Sequence, residues 1–151
     1  MNILALDLAT RTGWAHSNGF SGVQNFNPRR GDSPGMRWIE FGGWLIRLLA
    51  ASPADVIVYE QAHHRGGAAT HVAHGFISCV ETVVAMSKIE ITQRHTSAIK
   101  AHAIPQKGAN RGKVAMLAAA RERWPDVEII DDNQADVLWL LDLFQTQMGE
   151  Q

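Results

Sequence analysis

Residues 2–15 read NILALDLATRTGWA. Ile3, Leu4, Ala5 and Leu6 form an unbroken apolar run, the pattern of a strand covered on both faces rather than the alternation of a strand with one wet face. Asp7 closes the run, and a small polar turn follows it. A carboxylate in that place is costly to bury unless something pairs with it. Either Asp7 bonds the backbone of the turn at Ala9 and Thr10, or it is a catalytic or metal-binding group.

Working outward, TGWAHS (12–17) and FSGVQNF (20–26) read as two further strands. Asn18-Gly19 joins them as a hairpin, because both residue types tolerate positive φ. NPRRGDSPG (27–35) is a loop by its Pro and Gly content. Asp32 or Ser33 is expected to cap a helix with Pro34 in its first turn, running through MRWIEFGGWLIRLLAAS (36–52), where Trp38, Phe41, Leu45 and Leu48/Leu49 recur at helical spacing. DVIVYEQ (55–61) is a β-branched strand that ends as the first one does, on a carboxylate, Glu60.

A Gly- and His-rich loop, AHHRGGAATH (62–71), leads into a helix reaching about Met86. IEITQRH (89–95) reads as a strand, and Thr96 as the cap of a short helix SAIKAHA (97–103). The basic loop IPQKGANRGK (104–113) precedes a helix VAMLAAARERW (114–124). VEII (127–130) reads as a short strand, and DDNQADVLWLLDLFQTQ (131–147) as a terminal helix capped by Asp131 or Asp132. A hairpin first and helical crossovers later specify a mixed sheet with helices on its faces, an α/β fold.

A chain of 151 residues suits a single domain able to bury most of its apolar surface. One cysteine, Cys79, excludes an intramolecular disulfide and a multi-cysteine zinc site. Its apolar neighbours mark it as a packed thiol rather than a nucleophile. No signal-peptide pattern or membrane-length apolar run occurs, so a cytoplasmic protein is expected. The net charge of −1 conceals an asymmetry. From Ala62 to Lys113 there are seven Lys or Arg against two Glu, which makes the middle of the chain a candidate anion-binding surface.

Three carboxylates now occupy comparable places: Asp7 ends the first strand, Glu60 the fourth, and Asp136 lies one turn into the final helix. If the two strands are neighbours, a helix laid across their ends brings Asp136 to Asp7 and Glu60. Carboxylates so clustered repel unless cations lie among them, and hard divalent ions prefer oxygen ligands, so the arrangement implies Mg²⁺ or Mn²⁺. Asn133 and Asp132, three and four residues before Asp136, can each share its helix face as a further ligand. Two ions about 4 Å apart can activate water and stabilise the leaving oxygen of a phosphodiester. Asp131 and Asp142 read as solvated charges.

Taken together, ILALDLATRTGWA, VIVYEQ followed by a helix, SAIKAHA…KGANRGKVAML and DDNQADVLWLL, in matching order, resemble the RuvC-like Holliday junction resolvases of the RNase H-like superfamily, in the small form carried by phages and prophages. The resemblance implies a five-stranded mixed sheet, its first three strands antiparallel, flanked by helices in one nuclease domain over residues 1–151. It also implies a homodimer, Mg²⁺ dependence and paired symmetric nicks in a four-way DNA junction, in a bacterial host's cytoplasm if phage-encoded. Asp7, Glu60 and Asp136 match the family's acidic positions, and the remaining acidic position falls on Asn133, so Asn133 or Asp132 completes the set. Similar enzymes place a lysine near the scissile phosphate, a role that falls to Lys100; a solvated surface charge is its plainer reading.

Lys107, Arg111 and Lys113 in the basic loop, with His63, His64 and Arg65, are the expected DNA contacts. A zinc site among His63, His64, His71 and His74 is set aside for want of cysteine partners. THVAHGFISCVETVVAM (70–86), the helix after Glu60, is apolar around much of its circumference, so it is expected to pack on its own sheet and on a partner, with Phe76 and Val80 at the dimer interface. The competing readings are another RNase H-like nuclease acting on branched DNA or RNA–DNA hybrid, and a junction-binding protein with a weakened site. Sugar-kinase-like ATPases need a second domain and a second phosphate loop that this sequence lacks.

Overall fold

The computed structural model describes residues 1–62 and 66–149. The strands are β1 (Ile3–Asp7), β2 (Arg11–His16), β3 (Ser21–Asn25), β4 (Val56–Glu60) and β5 (Glu90–Arg94). The helices are α1 (Met36–Ala51), α2 (Gly67–Val84), α3 (Thr96–Ala103), α4 (Lys113–Arg123) and α5 (Asp132–Gly149). The sheet order is β3-β2-β1-β4-β5. The pairs β1–β2 and β2–β3 are antiparallel, and β1–β4 and β4–β5 parallel. This is the five-stranded mixed α/β sheet of the RNase H-like fold.

The continuous apolar runs of β1 and β4 follow from their central position. Ile3, Ala5, Val56 and Val58 face a core built with α3, α4 and α5. Leu4, Leu6, Ile57 and Tyr59 face the other core, built with α1 and α2. The second core centres on aromatic rings: Phe41 lies 4.9 Å from Phe76 and 5.2 Å from Phe26, centroid to centroid. Each fully buried Phe contributes about 1.5–3 kcal/mol. Gly75 is what lets α2 approach α1, since a Cβ there would lie 2.3 Å from the Trp38 ring. No helix among the described residues is long and apolar enough to cross a membrane.

Several local expectations are corrected. In the hairpin only Gly19 takes positive φ (97°), and the turn has three residues closed by His16 N–H to Phe20 O at 2.8 Å. Helix α1 begins after Pro34, with Gly35 as cap, because Ser33 and Asp32 spend their side chains on the loop's own N–H groups at Gly35 and Arg29. The VEII segment is not a strand: it pairs with none of the five strands, and Ile130 N–H and Glu128 C=O bond the Gln134 amide instead.

Candidate active site

The parallel register of β1 and β4 runs from Ile3↔Val56 to Leu6↔Tyr59, which brings Asp7 and Glu60 side by side at the carboxyl-terminal edge of the sheet. On its other side Asp7 pairs with Gly13 of β2. Helix α5 crosses that edge so closely that a Cβ on Gly13 would stand 2.2 Å from the main-chain oxygen of Asn133. Glycine in a strand marks such an approach of backbone to backbone.

The start of α5 is pinned from three sides. Asp131 accepts the Gln134 N–H at 3.1 Å and is therefore the cap. It also receives Arg11 Nε from β2 at 2.6 Å. The buried Gln134 amide donates to Ser21 Oγ of β3 at 3.0 Å. Partial burial works to raise the Asp131 carboxyl, but the hydrogen bonds from Arg11, Gln134 N–H and Asn133 outweigh it and hold it below the usual range. Reading Asp131 as a solvated charge is thus corrected. So is Asp142, which pairs with His102 at 2.8 Å and Arg123 at 3.5 Å.

With Asp131 capping, Asp132 is released to the first turn of α5, one turn before Asp136. Asp7, Glu60, Asp132 and Asp136 line one cleft of about 430 Å³ together with Lys113. Burial, then the charges of Glu60, Asp136 and Asp132, raise the Asp7 carboxyl well above its ordinary value, with Lys113 opposing. Asp136 is raised to about 6 by burial, then by Glu60 and Asp132, against the pull of Lys100 and Lys113. Both candidates for the last ligand line this cleft: Asp132 adds its charge to the cluster, while the Asn133 amide nitrogen donates to Asp131 at 3.3 Å. No three acidic, His or Cys side chains among the described residues are already drawn into a tight cage. The set nonetheless fits a hard divalent cation, whose charge would relieve the repulsion that raises Asp7 and Asp136.

Lys100 and Lys113 share a smaller adjoining cleft of about 160 Å³ with Glu60, Thr96 and Asp136. Lys113 Nζ lies 3.0 Å from Asp132, so the structure brings this lysine to the carboxylates rather than leaving it on a remote basic loop. Lys107 stays exposed on that loop. Arg111 donates to the carbonyls of Ile104 (2.9 Å) and Gln106 (3.3 Å), so its guanidinium holds the loop's shape. His63, His64 and Arg65 lie outside the described residues. Thr96 does not cap α3; the cap residue is His95, and the Thr96 hydroxyl donates to Glu60. Thr96, Gly13 and the Arg11–Asp131 pair escape the sequence reading, although a glycine inside an apolar strand was a usable signal for the second.

Phe76 and Val80 are fully buried against this chain's own sheet and α1, which corrects their placement at a dimer interface. The helix carries its outward apolar surface elsewhere. A groove of about 370 Å³ between α1 and α2 is lined by Trp38, Gly42, Gly75, Cys79, Val83 and neighbouring residues. His71 stands edge-on to Trp38 there, at 6.3 Å.

No family model and no curated protein matches the sequence. Solved structures do match. Thermus thermophilus RuvC superposes with a TM-score of 0.76 at 14% identity, over 99% of this chain and 97% of that one. T. thermophilus RuvC in complex with Holliday junction substrate gives 0.79 at 13% identity, over 99% and 96%. The yeast mitochondrial Holliday junction resolvase Ydc2 gives 0.68 at 13% identity, over 98% and 80%. The chain therefore has the RuvC fold over nearly its whole length.

Proposed function

We propose that this chain is a metal-dependent, structure-specific endonuclease that resolves four-way DNA junctions by paired nicks, residues 1–151 acting as one nuclease domain. The observation that carries the reading is the cleft in which Asp7, Glu60, Asp132 and Asp136 converge, in a fold shared with a RuvC whose solved complex holds a Holliday junction substrate.

Asp7, Glu60, Asp132 and Asp136 would hold the divalent cations, Mg²⁺ with Mn²⁺ as substitute, two ions being what this many carboxylates suit. Bound there, such ions supply positive charge that activates water and offsets the leaving oxygen of a phosphodiester. The chain's own groups do the rest. Lys100 and Lys113 flank the carboxylates and offset charge that develops on the phosphate. The same two lysines keep the cleft from repelling DNA, while Lys107 reaches the sugar-phosphate backbone beyond it. Arg111 supports that loop, and contacts by His63, His64 and Arg65 at the junction centre remain part of this reading. Symmetric nicks need two sites related by a two-fold axis, hence a homodimer. The exposed α1–α2 groove beside the helix following Glu60 is its apolar candidate face.

The test is cleavage with Mg²⁺ or Mn²⁺ of a synthetic four-way junction beside an RNA–DNA hybrid and a splayed arm. Paired nicks confined to the junction are expected. Cutting of the hybrid or splayed arm alone would assign a different nuclease of this fold, and tight junction binding without cutting a binding protein.

A further inference from the structure

Glu60 is the last residue of β4 and pairs with Arg94 of β5, and the ladder continues one step further through Gln61 N–H to Arg94 O at 2.8 Å. The chain leaving β5 therefore turns into α3 directly beside the Glu60 side chain. At the cap of a helix a threonine hydroxyl ordinarily serves the helix's own unpaired N–H groups. Here His95 is the cap, without a side-chain bond, and Thr96 Oγ1 instead donates to Glu60 Oε1. The helix that carries Thr96 is itself fixed: Ile99 is buried in the core shared with α4 and α5. Lys100, one turn after Thr96 and so on the same helix face, lines the same small cleft with Glu60 and Asp136.

We propose that Thr96 is a positioning residue, whose hydroxyl fixes the orientation of the Glu60 carboxylate toward the cation site from a rigid helix. The inference rests on the metal-dependent reading above and names a group that the acidic constellation does not contain. A Glu side chain at a strand end keeps several rotamers, and ordering it on cation binding costs conformational entropy. A hydrogen bond from a fixed helix orders it beforehand, as outer partners do for metal ligands generally.

The test measures Mn²⁺ binding without DNA, by calorimetry or by electron paramagnetic resonance, for wild type, Thr96→Val and Thr96→Ser. Valine keeps the branched shape and deletes the donor; serine keeps the donor. Thr96→Val should weaken Mn²⁺ affinity about tenfold with its melting temperature unchanged in the absence of metal, and Thr96→Ser should restore wild-type affinity. Junction cleavage by Thr96→Val should recover at raised Mn²⁺. If valine disturbs the fold, Thr96→Ala, which suits a helix, should show the same loss. Wild-type affinity in the folded donor-deleted variant overturns the inference, as does a loss that serine fails to restore. A wild-type protein that binds no Mn²⁺ overturns the metal-dependent reading itself.

Discussion

The main-chain oxygen of Asn133 occupies the space that a side chain on Gly13 would need, 2.2 Å from the ideal Cβ position. Gly13 pairs with Asp7, so this contact sets how near α5, and with it Asp132 and Asp136, comes to the first carboxylate. Gly13→Ala should push α5 off β2. The expected cost is about 1–3 kcal/mol of stability, the usual penalty of overpacking, and a larger loss of Mn²⁺-dependent cleavage. Urea unfolding and junction assays check both, and an alanine variant with wild-type cleavage would show that α5 tolerates the shift.

Asp132 and Asn133 should separate cleanly. Both line the cleft with Asp7 and Asp136, but Asp132 brings a charge that acts on both carboxyls, whereas the Asn133 amide nitrogen donates to Asp131. Asp132→Ala should abolish cleavage and weaken Mg²⁺ dependence, while Asn133→Ala loses one 3.3 Å hydrogen bond and about 0.5–1.5 kcal/mol of stability at most. A Mg²⁺ titration of cleavage for both variants decides the ranking, and the reverse order would make Asn133 the ligand.

The raised carboxyls predict an inverted pH dependence for the metal-free protein. Asp136 titrates near an ordinary 3.8 when unfolded and at about 6 when folded, so between those values the folded state holds a proton that the unfolded state has lost. Stability therefore falls as pH rises through this window, by up to about 3 kcal/mol for this group; Asp7, raised for the same reasons, adds to it. Thermal melts without metal should be higher at pH 5 than at pH 7.5, and Mg²⁺ should reverse the order. Asp7→Asn should raise the metal-free melting temperature at pH 7.5 and remove nicking by orders of magnitude while junction binding persists. A melting temperature that climbs from pH 5 to 7.5 without metal would contradict the burial of these charges.

Sedimentation tests the assembly. Val83 and Cys79 line the α1–α2 groove, so Val83→Glu should yield folded monomers that bind the junction without paired nicks. Phe76→Glu should unfold the chain instead, because Phe76 is wholly enclosed by Phe41, Phe26 and Trp38. A wild-type monomer at micromolar concentration that cuts junctions normally would remove the dimer from the mechanism.

Much of this was legible in order along the chain. The apolar runs closing on Asp7 and Glu60 disclosed two central strands and the edge at which they end, because a strand buried on both faces can carry a charge only where it emerges. Asp136 stood out by its place one turn into the terminal helix. The caps of α1 and α3 were not legible: Ser33, Asp32 and Thr96 each had several hydrogen-bond partners within reach, and only the packed chain selects among them.

What the sequence determined by itself is the order of strands and helices, the VEII segment excepted, and that Asp7 and Glu60 close two of those strands, since periodicity and the cost of burying charge are properties of short segments. The tertiary structure alone decided that Asp131 caps α5 and so frees Asp132, that Arg111 supports its loop while Lys113 turns to Asp132, and that Phe76 and Val80 face inward. Several of those choices depend on partners far away in the chain: Arg11 lies 120 residues from Asp131, and the sheet that covers Phe76 is assembled from strands on both sides of it. Hydrogen bonds and packing between distant segments have no local signature, so a one-dimensional reading assigns such side chains to solvent, to a partner or to a cap when the fold has already used them.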